Sequence, residues 1–468
     1  MDNIFDIIII GAGPGGYVAA IKAAKLGSRV AVIEEDRVGG TCLNRGCVPT
    51  KAMLHASSLY TEMKESTRFG IFASGIDFDY GKIMEYKNDT VNKLCQGVEQ
   101  LFKSNKITLI KGKAVLEKDK SVSVISDSGK VSYKADKVIL ASGSKPSLLP
   151  IPGIEMEGVM TSDELFHLTE VPKSLIIIGG GVIGTEFASI FSALGSKVTI
   201  LEALPNILGN IDKDITQNLK LIMKKCGVDI HTSVNVKKIE KNGENLCCTY
   251  IEKEKEIEIC AQYILCAAGR IPNTEGLFGE GVNLSMERGR VIVDEKFRTD
   301  MDGVYAIGDL IKGMQLAHLA SAQGICLAEE LAGHKRSINL SVIPSCIYTE
   351  PEIAVIGISE ADAKEKGFSV KVGKFITNAN SKSVISKEER GIIKIIADEK
   401  TEEILGAHMM CARATDMIGE FGTAITNKMT VCELLKSMRA HPTYNEGVGE
   451  ALEEVFGSAI HVAPKVKL

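Results

Sequence analysis

The chain has no tryptophan and only 12 prolines in 468 residues. Aromatic residues make up 5% of it, against 45% hydrophobic and 25% charged. That balance is ordinary for a globular protein and excludes a disordered, collagenous or disulfide-stapled miniature chain. No lysine- or arginine-rich run occurs, and 55 basic against 60 acidic residues give a formal net charge of −5. A nucleic-acid role has no electrostatic footprint and is not expected. Apolar runs such as Ile7 to Ile10 and Leu175 to Ile178 fall far short of the roughly 20 residues of a membrane span, so no membrane role is expected. The start, Met1-Asp2-Asn3-Ile4-Phe5-Asp6, is acidic where a signal peptide would be basic. No C-x-x-C pair occurs, zinc-ribbon spacing is missing, and no metal site is expected. Most of the 12 cysteines stand singly in apolar segments. Cys260, Cys266, Cys326 and Cys346 read as reduced, buried small hydrophobes, and a reducing cytoplasm is the natural compartment.

Glycine, by contrast, is abundant at 45 residues. The length gives a prior of about three domains. Ile7 to Ile10 reads as a buried parallel strand, and Gly11, Gly13 and Gly16 follow at once as G-x-G-x-x-G. A helical stretch from Tyr17 to Leu26 ends at Gly27, and a second strand, Val30 to Ile33, closes on Glu34. Alone, a glycine fingerprint is weak evidence; strand, glycines, helix, strand and acid together are strong. The glycines let backbone N–H groups approach a pyrophosphate at the helix N-terminus, and Glu34 can accept hydrogen bonds from a ribose diol. The pattern returns 168 residues later, with Gly179, Gly181 and Gly184 after the strand Leu175 to Ile178 and with Glu202 as the acid. Glu34 and Glu202 each lie 23 residues beyond the first glycine of their copy. Two copies in one register predict two dinucleotide sites.

Val304 to Asp309 is a strand ending in Gly308-Asp309. It resembles the second flavin fingerprint of two-dinucleotide flavoproteins, in which the aspartate binds the ribityl chain. Val138 to Gly143 and Ile264 to Gly269 resemble the strands that close the flavin and nicotinamide domains. The expected fold class is α/β: two Rossmann-like dinucleotide-binding domains, the second inserted in the first, plus a C-terminal mixed α/β dimerisation domain. The expected boundaries are 1–145 and 271–342 for the two segments of the FAD-binding domain, 146–270 for the NAD-binding domain, and 343–468 for the interface domain. In that last part Ala354 to Gly357, Ser369 to Phe375 and Gly391 to Ala397 read as strands, Ala412 to Asn427 and Val431 to Ser437 as helices, with no glycine fingerprint.

Gly39 to Lys51 carries the sharpest chemical signal. Cys42 and Cys47 are separated by four residues in a glycine-flanked segment, ahead of a helical run from Lys51 to Met63. An ideal helix would hold such positions about 8.6 Å apart. A disulfide wants Cα atoms about 4.4 to 6.8 Å apart, so Gly46 is expected to bend the backbone into a distorted first turn. A helix N-terminus favours a thiolate.

The segment Gly39 to Lys51 resembles the redox-active segment of the class I pyridine nucleotide–disulfide oxidoreductase family, and the resemblance runs from Ile7 to the C-terminus. The interior Leu43-Asn44-Arg45, with Thr50 before Lys51, is most similar to members that oxidise dihydrolipoyl groups. The resemblance implies that Cys42 is the interchange thiol and that Cys47 stacks on the flavin as a charge-transfer partner. It implies a Cys42–Cys47 redox disulfide, and a Lys51 beside the flavin, paired with Glu186. His441-Pro442-Thr443, followed by Glu446, matches the family's acid–base motif. A base must form the attacking thiolate and an acid must reprotonate the leaving one. Histidine does so near neutral pH, and a carboxylate on its other nitrogen holds the ring. His318 is expected to pack or to lie near the flavin.

Further positions carry over as expected FAD contacts: Gly40, Thr41, Gly112 and Ala114, then Ser142, Gly143, Asp309 and Ala317. Val236 and Gly269 are expected NAD contacts. The implied activity is oxidation of protein-bound dihydrolipoyl groups, with electrons passing through the cysteines and FAD to NAD⁺. The implied partner is a lipoylated protein, either the acyltransferase of a 2-oxo acid dehydrogenase complex or a glycine cleavage carrier protein. No lipoyl domain precedes Ile7, so the arm is expected from another chain. The family also implies a homodimer, in which each subunit's His441–Glu446 pair serves the other's cysteines. Family members that use NADPH should carry arginines in the second fold, but residues 203–214 contain none, and Glu202 would repel a 2′-phosphate. Members that reduce mercuric ion need another cysteine pair near the C-terminus, and residues 433–468 contain no cysteine. A flavin-loaded structural subunit is the reading from a different class. The intact set Cys42, Cys47, Lys51, His441 and Glu446 argues against it.

Overall fold

The computed structural model describes residues 3–463; Met1 and Asp2 of the acidic start lie outside them. The run Ile7 to Ile10 lies in the strand Ile4–Ile10, buried from Ile7 onward. It pairs in parallel with Val30–Glu34 on one side and with Gly129–Leu140 on the other. Thr108–Lys111 extends the sheet beyond Val30–Glu34. The strand Gly129–Leu140 is 12 residues long and belongs to two layers. Its start pairs antiparallel with Val122–Ser126, which in turn pairs antiparallel with Lys113–Leu116, and its end pairs in parallel with Val304–Ala306. A strand from residue 304 thus completes a sheet begun at residue 4. Near-continuous isoleucine and valine suit it, because both faces are covered.

The second sheet repeats the first. Ser174–Ile178 is flanked by Lys197–Glu202 and Tyr263–Cys266, all parallel, with Asp229–Thr232 and Val159–Met160 at the edges. The 168-residue offset holds in the hydrogen-bond register itself: Ile7 opposes Val30, and Leu175 opposes Val198. Gly16 and Gly184 explain why the loops need glycine. A Cβ would stand 1.9 Å from the Gly11 carbonyl oxygen at Gly16, and 2.0 Å from that of Gly179 at Gly184. Only glycine lets each helix start that close to its strand. The chain crosses between the two sheets twice, and the crossings, Ser144–Pro146 and Arg270–Pro272, pair antiparallel.

A three-stranded antiparallel sheet, Asn235–Asn242, Asn245–Glu252 and Lys255–Ala261, packs one face on the second sheet through Ile239, Cys248 and Tyr250. The C-terminal part forms a five-stranded antiparallel sheet from Ser345–Ile347, Ile353–Gly357, Ile404–Met410, Ile392–Asp398 and Val370–Ile376. Helices Ala414–Thr426 and Glu446–Glu454 share its core. The strand Ile404–Met410 and the helix Glu446–Glu454 carry no signal noted in the sequence; Gly406 and Gly447 interrupt their patterns.

One expectation about cysteine fails here. Cys260 is neither reduced nor buried. It is exposed and joined to Cys247 by a disulfide across two paired strands. The alternation of the strand Lys255–Ala261 turns Cys260 away from the core that Ile259 and Ala261 enter. Cys266 and Cys326 are buried free thiols as expected, whereas Cys346 is half-buried. The described residues contain no helix long and apolar enough to cross a membrane.

Candidate active site

Gly46 breaks the backbone between two helices, Gly40–Arg45 and Cys47–Lys64, at φ −144° and ψ −111°. The distorted turn expected at Gly46 is therefore a complete break, which puts Cys47 at the first position of an 18-residue helix. Cys42 and Cys47 are both free thiols, so the structure holds the pair in its dithiol state. They differ sharply. The Cys42 thiol donates a hydrogen bond to the Cys47 sulfur, which lowers Cys47 to a pKa of about 7, with the Lys51 ammonium assisting. The same hydrogen bond, together with burial, pushes Cys42 far up. Above about pH 7 the pair therefore keeps one proton, held by Cys42, beside a thiolate on Cys47.

Lys51 lies on the helix that Cys47 begins, one turn on. Its Nζ sits 2.9 and 2.7 Å from the two carboxylate oxygens of Glu186. Glu186 is 3% exposed and belongs to the helix Val182–Ala193 of the second nucleotide fold. The Tyr348 backbone N–H donates to it as well, at 3.0 Å, and the Lys51 Nζ stands 4.7 Å from the centre of the Tyr348 ring. A buried carboxylate with three hydrogen bonds from two donor groups is compensated; removing one partner of a buried ion pair costs about 3–5 kcal/mol. The pair thus fixes the redox helix against the second fold.

A cavity of about 1600 Å³ joins these parts. Its lining includes Gly13 and Glu34 from the first glycine loop, and Gly179, Gly181 and Glu202 from the second. Gly40, Thr41, Cys42, Cys47, Lys51 and Glu186 line it too. So do Ser142, Gly143, Asp309, Ala317, His318, Val236 and Gly269. Gly11, Gly16 and Gly184 support the loops from beneath, and Gly112 and Ala114 stand outside the lining. The Gly112 N–H donates to the Glu34 carbonyl oxygen at 3.0 Å, and Ala114 is in the core.

The two acids behave as one design. Glu34 accepts from the N–H groups of Ala12 (2.7 Å) and Asp36 (2.9 Å). Glu202 accepts from those of Gly180 (2.5 Å) and Leu204 (2.7 Å), again 168 residues on. Each carboxylate is thereby oriented at a strand's C-terminal end, with a glycine loop beside it. The cysteine segment meets the first glycine loop closely: a Cβ on Gly40 would stand 2.7 Å from the Gly13 Cα. That narrow backbone cradle, with an acid at its rim, fits a dinucleotide.

His441 and Glu446 pair as expected, with Nδ1 and Oε1 2.8 Å apart. Burial works against the Glu446 charge, yet the Thr443 N–H and His441 hold its carboxyl below the usual range. Neither residue lines the cavity that contains Cys42 and Cys47. The His441 side chain is 68% exposed.

Three contributors escaped the sequence reading. Arg270 donates from Nε to the Ser144 hydroxyl (2.9 Å) and from Nη2 to the Ser144 carbonyl (2.7 Å). Ser144 donates in turn to Asp309 (2.6 Å), so the arginine of one crossing orients the flavin-fingerprint aspartate. Tyr348 shields the Lys51–Glu186 pair, and Cys346, a third thiol of the lining, is raised to about 11 by burial. Only the position of Arg270 directly after Gly269 offered a signal. His318 bonds the Pro344 carbonyl at 2.7 Å through Nε2 and lines the cavity.

Two nucleotide cradles and a dithiol in one cavity define a flavin-linked disulfide oxidoreductase, and the comparisons with known proteins agree. Residues 5–324 match the pyridine nucleotide-disulphide oxidoreductase family and residues 343–452 its dimerisation domain, so the chain belongs to that family. It is 39% identical over 459 residues to a dihydrolipoyl dehydrogenase of Staphylococcus aureus, covering 97% of each chain. Among solved structures it is similar to LpdA from Mycobacterium tuberculosis, with a TM-score of 0.89 at 26% identity, covering 96% of this chain and 98% of that one. It is also similar to the HOCl-induced flavoprotein disulfide reductase RclA from Escherichia coli, with a TM-score of 0.86 at 29% identity, covering 96% and 99%.

Proposed function

We propose that the protein oxidises dihydrolipoyl groups on a partner protein to the cyclic disulfide and delivers the electrons to NAD⁺. The observation that carries this is the single cavity lined by both glycine loops and by Cys42, Cys47 and Lys51. FAD held in the first cradle would supply two-electron chemistry between the dithiol and NAD⁺. Gly13, Glu34, Gly40, Thr41, Ser142, Gly143, Asp309 and Ala317 would hold it, with Gly11 and Gly16 shaping the loop beneath and Gly112 and Ala114 supporting from outside the lining. Gly179, Gly181, Glu202, Val236 and Gly269 would hold NAD⁺, with Gly184 beneath their loop. We read the FAD-binding domain as 1–145 with 271–342, the NAD-binding domain as 146–270, and the interface domain as 343–468.

The chemistry begins from the oxidised Cys42–Cys47 pair. His441 of the partner subunit takes the proton of one substrate thiol, and the new thiolate attacks Cys42. The Cys42–Cys47 bond breaks and Cys47 leaves as a thiolate, which Lys51 favours. The second substrate thiol passes its proton to the departing Cys42 sulfur as it attacks the substrate sulfur of the mixed disulfide and closes the dithiolane, and the proton held by the partner's His441 is released to solvent. The dithiol state described above is the product of that step. Each turnover consumes one dihydrolipoyl dithiol and one NAD⁺, and yields one lipoyl disulfide, one NADH and one proton.

The exposed His441–Glu446 pair, apart from the cavity, supports a homodimer in which each subunit completes the other's site. The lipoyl arm belongs to a 2-oxo acid dehydrogenase acyltransferase or a glycine cleavage carrier protein. We place the protein in the cytoplasm, since ten of its cysteines are free thiols. Mixed dimers test the shared site. His441→Gln and Cys42→Ser subunits, unfolded and reassembled together, should regain activity, because one site of each mixed dimer carries neither lesion. No recovery would mean that His441 serves its own subunit.

A further inference from the structure

Cys247 and Cys260 take no part in the chemistry above. They face each other across the strands Asn245–Glu252 and Lys255–Ala261, with Cα atoms 4.0 Å apart. Glu258, two residues before Cys260, shares its face of the strand. The ligand atoms of Cys247, Glu258 and Cys260 all lie within 4.8 Å of one another. Glu258 and Cys260 are exposed, while Cys247 is 2% exposed, so the group has a buried floor and an open mouth. Its surroundings are acidic. Glu240 opposes Cys247 from the third strand, and the nearby Lys238, bonded to Glu240 at 2.6 Å, also feels Glu256 and Glu258.

We propose that Cys247, Cys260 and Glu258 form a thiophilic metal site, gated by the redox state of the two cysteines, that takes a d¹⁰ cation of the zinc kind. Two thiolates and a carboxylate are a ligand set for tetrahedral zinc, with water in the fourth position. Zinc–sulfur bonds of about 2.3 Å place two thiolates about 3.8 Å apart, which side-chain rotation across directly paired strands can reach. Three anionic ligands around a divalent ion leave one negative charge, and Lys238 stands beside it. In the disulfide form both sulfurs are committed to each other and the site is closed. An external dithiol opens it: the reductant's two thiols become a disulfide, and the Cys247–Cys260 bond becomes two thiols. Zinc then displaces both protons to solvent as two Zn–S bonds form.

Holoenzyme carrying C42S and C47S removes competition from the active-site thiols and is the background for the test. Reduced with dithiothreitol, freed of it anaerobically and dialysed after zinc addition, it should retain about one zinc per chain. The untreated disulfide form should retain less than about a tenth of that. C260S should abolish retention, and E258Q should weaken it at least about tenfold. Cobalt in place of zinc should give a thiolate-to-metal absorption band that C260S removes. Zinc should also protect Cys247 and Cys260 from alkylation in the reduced protein, a readout that needs no substitution at the site. Reduced protein without stoichiometric zinc, full retention in C260S, or unprotected Cys247 and Cys260 would overturn the proposal. Full affinity in E258Q would remove Glu258 from it.

Discussion

Cys42 and Cys47 sit in a cavity between two helices, whereas Cys247 and Cys260 sit across two strands of an outlying sheet. Both pairs can hold a disulfide. They differ in what surrounds the sulfurs. The first pair is polarised: Cys42 is raised and Cys47 lowered, with Lys51 and a helix N-terminus beside them. One sulfur keeps the proton and the other the charge, which sets a direction for electron flow. The second pair is joined sulfur to sulfur across the sheet, outside the cavity that links the glycine loops. Turnover chemistry comes from the unequal surroundings of two cysteines, and a cysteine pair without them is a lock or a ligand set.

That contrast gives the largest expected effect. Cys42→Ser should lower dihydrolipoamide-dependent NAD⁺ reduction by at least about 10⁴-fold, as loss of a nucleophile does. Cys260→Ser should change it by less than about twofold. Comparable losses in the two variants would erase the distinction. Next comes His441→Gln, expected to retain its flavin and its dimer yet lose roughly two to four orders of magnitude in turnover. Normal kcat in that variant would leave the first pair without its base.

Cofactor choice is the third effect. Glu202 lines the second cradle, and in the proposed binding mode its charge would meet an added 2′-phosphate. The kcat/KM for NAD⁺ should exceed that for NADP⁺ by at least about a hundredfold, or about 2.7 kcal/mol. Equal efficiencies would displace Glu202 from the ribose.

The smallest effect is on pH, and it sharpens the comparison most finely. Cys47 is lowered to about 7, so its thiolate is present above that pH and is lost as pH falls through it. The long-wavelength absorption of thiolate against oxidised flavin should fade on acidification with a midpoint near that value. The Cys42 hydrogen bond is the largest cause of the lowering. Cys42→Ala should therefore move the midpoint upward, by about one pH unit or more. An unmoved midpoint would assign the thiolate to Lys51 and the helix alone.

The sequence showed whatever repeats or is contiguous. The glycine loops, Glu34 and Glu202 are local patterns, and their common register in the sheets follows from one supersecondary unit used twice. The Cys42–Cys47 segment and the His441–Glu446 pair are short enough to read directly. Cys247 and Cys260, 13 residues apart, become partners only through the register of a hairpin, which no residue type announced. Arg270 and Tyr348 were missed because their roles arise where separate segments meet: Ser144 with Asp309, and Lys51 with Glu186. Cys260 was misplaced because its strand, Lys255–Ala261, alternates charged and apolar positions, and Cys260 falls in register with Glu256 and Glu258 rather than with Ile257 and Ile259.

The central claim is that substrate electrons enter at Cys42 and Cys47 and at no other cysteines. Oxidised holoenzyme, mixed anaerobically with one equivalent of dihydrolipoamide and no NAD⁺, can be quenched with an isotopic alkylating reagent and mapped by mass spectrometry. Label should appear on Cys42 and Cys47 within one turnover time, with Cys247 and Cys260 unlabelled. Label on Cys247 and Cys260, with Cys42 still locked to Cys47, would contradict the account.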